Sequence, residues 1–149
     1  MMEKSISFIL QKILHVGELI EEDLKNQSDF KDLTPRQLYC IELIKESTSP
    51  SLSELATKMN IAKASISVMM NRLERQDLIY KVNSPYDRRT TYIHLTEKGE
   101  KAAILHTFIH DKIADFLTSD MTSAEKKQLT VLLNKSIYSL NRYFNILTD

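Results

Sequence analysis

The tightest constraint in the chain lies between Met59 and Ala62, where only Asn60 and Ile61 separate two helical patterns. The segment "SLSE" sets Ser51 and Glu54 three residues apart, the spacing at which a hydroxyl and a carboxylate satisfy each other's backbone N–H groups at a helix start. A short helix should run from there through Met59, with Leu52, Leu55 and Ala56 turned inward. Asn60 tolerates the left-handed conformation that ends it, and a second helix, "AKASISVMMNRLERQ", spans Ala62 to Gln76. Small Ala56 at the crossing and Ile61 in the corner complete the pattern of a helix-turn-helix.

The remaining elements follow from periodicity and punctuation. Residues Ile6, Ile9, Leu10, Ile13, Leu14, Gly17, Ile20 and Leu24 fall at the three-and-four spacing of a single apolar face, giving one long helix from about Glu3 to Asn26. In "TPRQ", Thr34 caps a helix, Pro35 occupies its first turn and Gln37 reaches back; this helix should end near Ser47. "LIYKV" and "TTYIHL" flank the polar "NSPYDRR" and read as a β-hairpin. Thr96 then caps a helix to about Ser119. Thr122 and Glu125 open a last one, whose apolar row is Leu129, Leu133, Ile137, Leu140, Phe144 and Leu147. With 2 glycines and 3 prolines in 149 residues, the composition suits one mainly α domain with a small hairpin.

Total charge cancels, 20 basic side chains against 20 acidic ones, which excludes indiscriminate coating of nucleic acid or anionic membrane. The distribution is uneven, because residues 58–89 carry 7 basic side chains and 3 acidic ones. No uncharged run approaches the roughly 18 apolar residues of a membrane span, and no secretory leader is visible; the expected location is the cytoplasm, with no membrane partner.

On the helix from Ala62 to Gln76, Ile66, Met69, Met70 and Leu73 share the core side. Ala64, Val68, Asn71 and Arg75 face away, with Ser65, Ser67 and Arg72 on the flanks. That face suits a DNA major groove: small residues allow close approach, Val68 can meet a thymine methyl, and serines bond base edges or phosphates. Lys63, Arg72 and Arg75 can neutralise phosphates. The hairpin crown, Asp87-Arg88-Arg89, puts two guanidinium groups on a ribbon thin enough for a minor groove, with the Asp87 carboxylate positioned to orient the Arg89 guanidinium.

The stretch "SLSELATKMNIAKASISVMMNRLERQDLIYKVNSPYDRRTTYIHLTEKGEK" resembles the winged helix-turn-helix of the MarR family of bacterial transcriptional regulators, most specifically in the crown followed by "HLTEKG". Departures are Val68, where the family often has a polar or basic residue, and Asp77, where it often has glycine. The resemblance implies a winged helix-turn-helix over residues 34–95 flanked by dimerisation helices at 1–30 and 97–149. It further implies a homodimer bound to double-stranded DNA, acting as a repressor, or less often an activator, that answers a small anionic or aromatic ligand, an oxidant or a metal. Asp87 and Arg89 match the wing pair whose arginine enters the minor groove. A winged-helix protein-interaction module is the alternative.

Sensor chemistry is less marked. Cys40, the one cysteine, sits inside the second helix, where a packing role is expected. His106 and His110 are one helical turn apart, a spacing suited to a shared metal, and they match a histidine pair in the zinc-responsive branch of the family, with Glu21 near another ligand position there. Tyr39 replaces a further histidine of that branch. No cofactor other than this candidate zinc is implied. No glycine-rich phosphate loop, nucleophile elbow or paired carboxylates point to an enzyme.

Overall fold

The computed structural model describes residues 5–144, so Glu3 and Leu147 of the expected terminal helices lie outside the described residues. Two compact units divide the chain after Ile113. The fold class is the expected one: among the described residues there are six helices and a two-stranded antiparallel hairpin, in the order α1 (Ile6–Asn26), α2 (Pro35–Ser47), α3 (Leu52–Lys58), α4 (Lys63–Arg75), β1 (Ile79–Asn83), β2 (Thr91–Leu95), α5 (Glu97–Leu117) and α6 (Ser123–Phe144).

Short-range caps start the helices where the sequence places them. At α2 the Gln37 N–H donates to Thr34 Oγ1 at 3.2 Å while the Thr34 N–H donates to Gln37 Oε1 at 2.8 Å. At α3 Ser51 and Glu54 make the same reciprocal pair at 2.6 and 3.2 Å. The Ser51 amide, and then its hydroxyl, hold the Glu54 carboxyl below its ordinary value of 4.5. A lowered folded-state value means this contribution to stability is full above the ordinary carboxylate range and fades as pH falls beneath it.

Between α2 and α3 the chain turns through two consecutive left-handed residues, Thr48 (φ 48°) and Ser49 (φ 65°). Neither is glycine, so the turn stores strain that its surroundings must hold. The Ser49 hydroxyl lies 3.0 Å from His94 Nδ1 on β2, and the Pro50 carbonyl accepts the Ile93 N–H at 2.9 Å. These bonds fasten the hairpin to the loop, which supplies the support an isolated two-stranded ribbon lacks. Asn60 (φ 50°) makes the helix-turn-helix corner, and the Ile61 N–H donates back to the Ala56 carbonyl at 3.0 Å.

Leu38, Ile41, Leu55, Ile66, Met70, Leu73, Leu78, Ile79 and Ile93 are fully buried and form the core of the first unit, with β1 packed on α4 and β2 on α2. Asp77 enters the hairpin at φ 58°, the conformation glycine commonly supplies there. The start of α5 crosses that turn closely: a Cβ on Gly99 would lie 2.0 Å from the Leu78 carbonyl oxygen. Gly99→Ala should therefore destabilise the fold by about 1–3 kcal/mol or more, read as a lower urea midpoint; an unchanged midpoint would show that the backbone yields there without cost.

α1 buries none of its side chains, although it carries a full apolar row. In the second unit, α6 starts at the expected Thr122–Glu125 capping box and exposes Val131, Leu133, Ile137 and Leu140. Among the described residues no helix is long and apolar enough to cross a membrane.

Candidate nucleic-acid interface

The inward face of α4 carries Ile66, Met70 and Leu73, all fully buried, with Met69 partly so. That leaves Lys63, Ala64, Ser65, Asn71, Arg72 and Arg75 exposed, with Val68 at 53% exposure among them. Val68 is thus a β-branched apolar side chain left open to water on an otherwise polar face. Ser67 differs: it is half-buried, and its hydroxyl donates to the Lys63 carbonyl at 2.9 Å within the helix. The N-cap of α4, Ala62, contributes no side-chain bond, so the first N–H groups of this helix have no acceptor from their own N-cap side chain.

The hairpin crown is ordered by a small network. The Ser84 hydroxyl accepts the Tyr86 and Asp87 N–H groups, each at 3.2 Å, and the Ser84 N–H donates to the Thr90 carbonyl at 2.9 Å. Asp87 acts on the backbone and not on a guanidinium: Oδ1 accepts the Arg89 N–H at 3.0 Å and Oδ2 accepts the Thr90 hydroxyl at 2.9 Å. The expected Asp87–Arg89 side-chain pair is thus corrected to a local turn in which the carboxylate closes the loop. A carboxylate only two residues away meets the amide on the chain before it meets a long, solvated side chain. The Arg89 amide first, and then the Thr90 hydroxyl, lower the Asp87 pKa below its ordinary 3.8, so the crown keeps its charge pattern throughout the neutral range. Arg88 and Arg89 are left exposed at the tip.

Two features that sequence reasoning missed join these parts. Lys81, on β1, reaches α4 with its ammonium 2.7 Å from both Asn71 Oδ1 and Glu74 Oε2. Arg36, in the first turn of α2, lines a groove of about 410 Å³ together with Thr34, Gln37, Ala64, Ser65, Val68 and Arg72. "TPRQ" carried a signal for the second, since its arginine sits where a helix starts; nothing in the spacing of Lys81 marked the first.

The sensor candidates lie in separate places, Cys40 on α2 and the two histidines on α5. His106, 3% exposed, places Nδ1 2.8 Å from Glu42 Oε2 and Nε2 3.1 Å from His110 Nε2. Glu42, His106 and His110 thus form a hydrogen-bonded chain in which both nitrogens of His106 have a partner. Among the described residues no three His, Cys, Asp or Glu side chains are placed to hold a metal ion, so Glu21 is not brought to the histidines. Two nitrogens do not fit a closed zinc site, which takes four ligands. Cys40 is fully buried, and burial pushes its thiol up to about 12, which keeps it protonated and unreactive at neutral pH.

The same architecture recurs among known proteins. The MarR family model matches residues 33–91. The HTH-type transcriptional regulator MhqR of Bacillus subtilis is 24% identical over 147 residues, covering 97% of this chain and 99% of the relative. The HTH-type transcriptional regulator MgrA of Staphylococcus aureus is 27% identical over 110 residues, 74% of each chain. Streptococcus pneumoniae FabT, solved in complex with DNA, superposes with a TM-score of 0.80 at 25% identity, over 96% of this chain and 97% of that one. Residues 33–91, from just before α2 through the crown of the hairpin to the first residue of β2, match the MarR family model, and transcriptional regulators of this kind are similar to the chain along nearly its full length.

Proposed function

We propose that the chain is a dimeric, sequence-specific DNA-binding transcriptional regulator that acts in the cytoplasm as a ligand-responsive repressor. The observation that carries the DNA reading is the exposed, small-then-basic face of α4 beside a hairpin crown that presents Arg88 and Arg89. In this reading Ala64, Ser65, Val68 and Asn71 approach base edges in the major groove. Lys63, Arg72 and Arg75 meet phosphates, and Arg89, with Arg88 beside it, enters the adjacent minor groove, where potential is most negative. FabT, of similar fold, is described as a DNA complex, which supports the same use of this surface. The repressor role and the effector response rest on the family resemblance alone.

The homodimer is supported by α1 and α6. Each exposes a row of large apolar side chains, Leu10 and Leu14 on α1 among them, that a single chain leaves in water. Leaving such surface open costs roughly 25 cal/mol per Å², which a second copy removes. A dimer would set two recognition helices about 34 Å apart, one helical turn of DNA, and so read an inverted repeat.

The test is to select a binding site from random duplexes and titrate it by anisotropy at rising salt. A regulator should recover an inverted repeat, prefer it over scrambled sequence by about 10³-fold or more, and lose affinity steeply with salt. Binding without sequence preference or salt dependence would favour the protein-interaction module instead.

A further inference from the structure

We infer that Lys81 is a positioning residue that sets which bases Asn71 can read; the inference rests on the DNA-binding reading above. Lys81 belongs to the wing, paired across the hairpin with Ile93, yet its ammonium lies against the recognition helix, 2.7 Å from Asn71 Oδ1 and 2.7 Å from Glu74 Oε2. Two consequences follow.

First, the Lys81 charge is matched by Glu74 on the protein itself, and its side chain is only 24% exposed, so it serves as a brace between wing and helix and not as a free cation for phosphate. Second, the amide of Asn71 is turned. Its oxygen points at the ammonium and its NH2 group is the part left to meet DNA. An asparagine that recognises adenine in the major groove ordinarily uses both ends, accepting from N6 and donating to N7. The ammonium occupies one lone pair of the oxygen and turns it towards the wing, so Asn71 presents chiefly its donors to the groove. Its partners are then hydrogen-bond acceptors: N7 of either purine, O6 of guanine or O4 of thymine. Adenine and guanine should be tolerated alike at that position.

The experiment uses the full-length protein and its selected duplex. The base pair read by Asn71 is located as the one at which Asn71→Ala loses discrimination. There, wild type is expected to bind adenine and guanine versions within about threefold. Lys81→Met, which frees the oxygen, should shift the preference towards adenine by several-fold, while Lys81→Arg, which retains donors, should restore the wild-type tolerance. The slope of log K against log salt should be the same for Lys81→Met and wild type. A direct phosphate contact would instead reduce that slope by about one on substitution.

A slope lowered by one, an unshifted base preference in Lys81→Met, or no position that depends on Asn71 would each overturn the inference. Should Lys81→Met fail to fold, the wild-type comparison decides alone: guanine bound tenfold or more weaker than adenine overturns it. Failure of the DNA reading is distinct, since wild type would then show no preference for the selected duplex at all.

Discussion

Arg89→Ala is expected to lower affinity for the selected operator by about 1–3 kcal/mol for each wing, so that the two wings of a dimer together cost at least tenfold. The reason lies in how the crown is built. Ser84, Asp87 and Thr90 tie the loop backbone to itself, with Asp87 receiving the Arg89 amide at 3.0 Å, so the arginine is presented from a fixed turn. Its side chain is not consumed by the carboxylate and is exposed. Removing the guanidinium should leave the fold and the dimer unchanged, because Arg89 contributes to the loop only through its amide, the other bonds coming from Ser84, Asp87 and Thr90. Anisotropy titration and light scattering on the same sample check both halves. Affinity equal to wild type would remove the minor-groove role.

A larger effect is expected from Leu10→Glu combined with Leu14→Glu on α1. In a single chain these leucines are 52% and 59% exposed, and glutamate nearly equals leucine in helix propensity, so the double variant should fold without penalty. If a second copy covers α1, the same change buries up to four carboxylates in an apolar interface, at several kcal/mol each unless the interface opens. Light scattering should then report the 17.3 kDa monomer in place of its dimer. Operator affinity should fall by 10² to 10⁴-fold, because the second half-site no longer profits from a tethered partner. A variant that remains dimeric would place the interface elsewhere.

Both results depend on features of very different visibility in the sequence. The helix starts were legible because caps act over three residues: Thr34 with Gln37, Ser51 with Glu54 and Thr122 with Glu125 all form as their spacing demands. The helix-turn-helix corner was legible because Asn60 sits where a left-handed residue is needed, and the hairpin because its strands are β-branched and aromatic about a polar tip. The Thr48–Ser49 turn was not, since two successive left-handed residues without glycine are held by a contact to His94, 45 positions away. The i,i+4 spacing of His106 and His110 was visible and suggested a metal. Glu42, 64 positions earlier, takes the Nδ1 atom of His106, and no local pattern announced it. Lys81 belongs to the same class: its partners lie on another element, and only the docking of β1 on α4 makes it a brace.

The claim on which these expectations converge is that wing and recognition helix grip one duplex in neighbouring grooves. Tyr86, at the crown and 98% exposed, offers a tether that spares both arginines. Tyr86→Cys can carry a chelated iron that cleaves nearby sugars, and buried Cys40 stays unlabelled. Bound to the operator, the tethered iron should cut both strands on the outer flank of each half-site, about half a helical turn from the base pairs that depend on Asn71, with the 3′ offset of attack across a minor groove. Cuts at the operator centre, a major-groove offset, or intact DNA in a complex that still forms would contradict it.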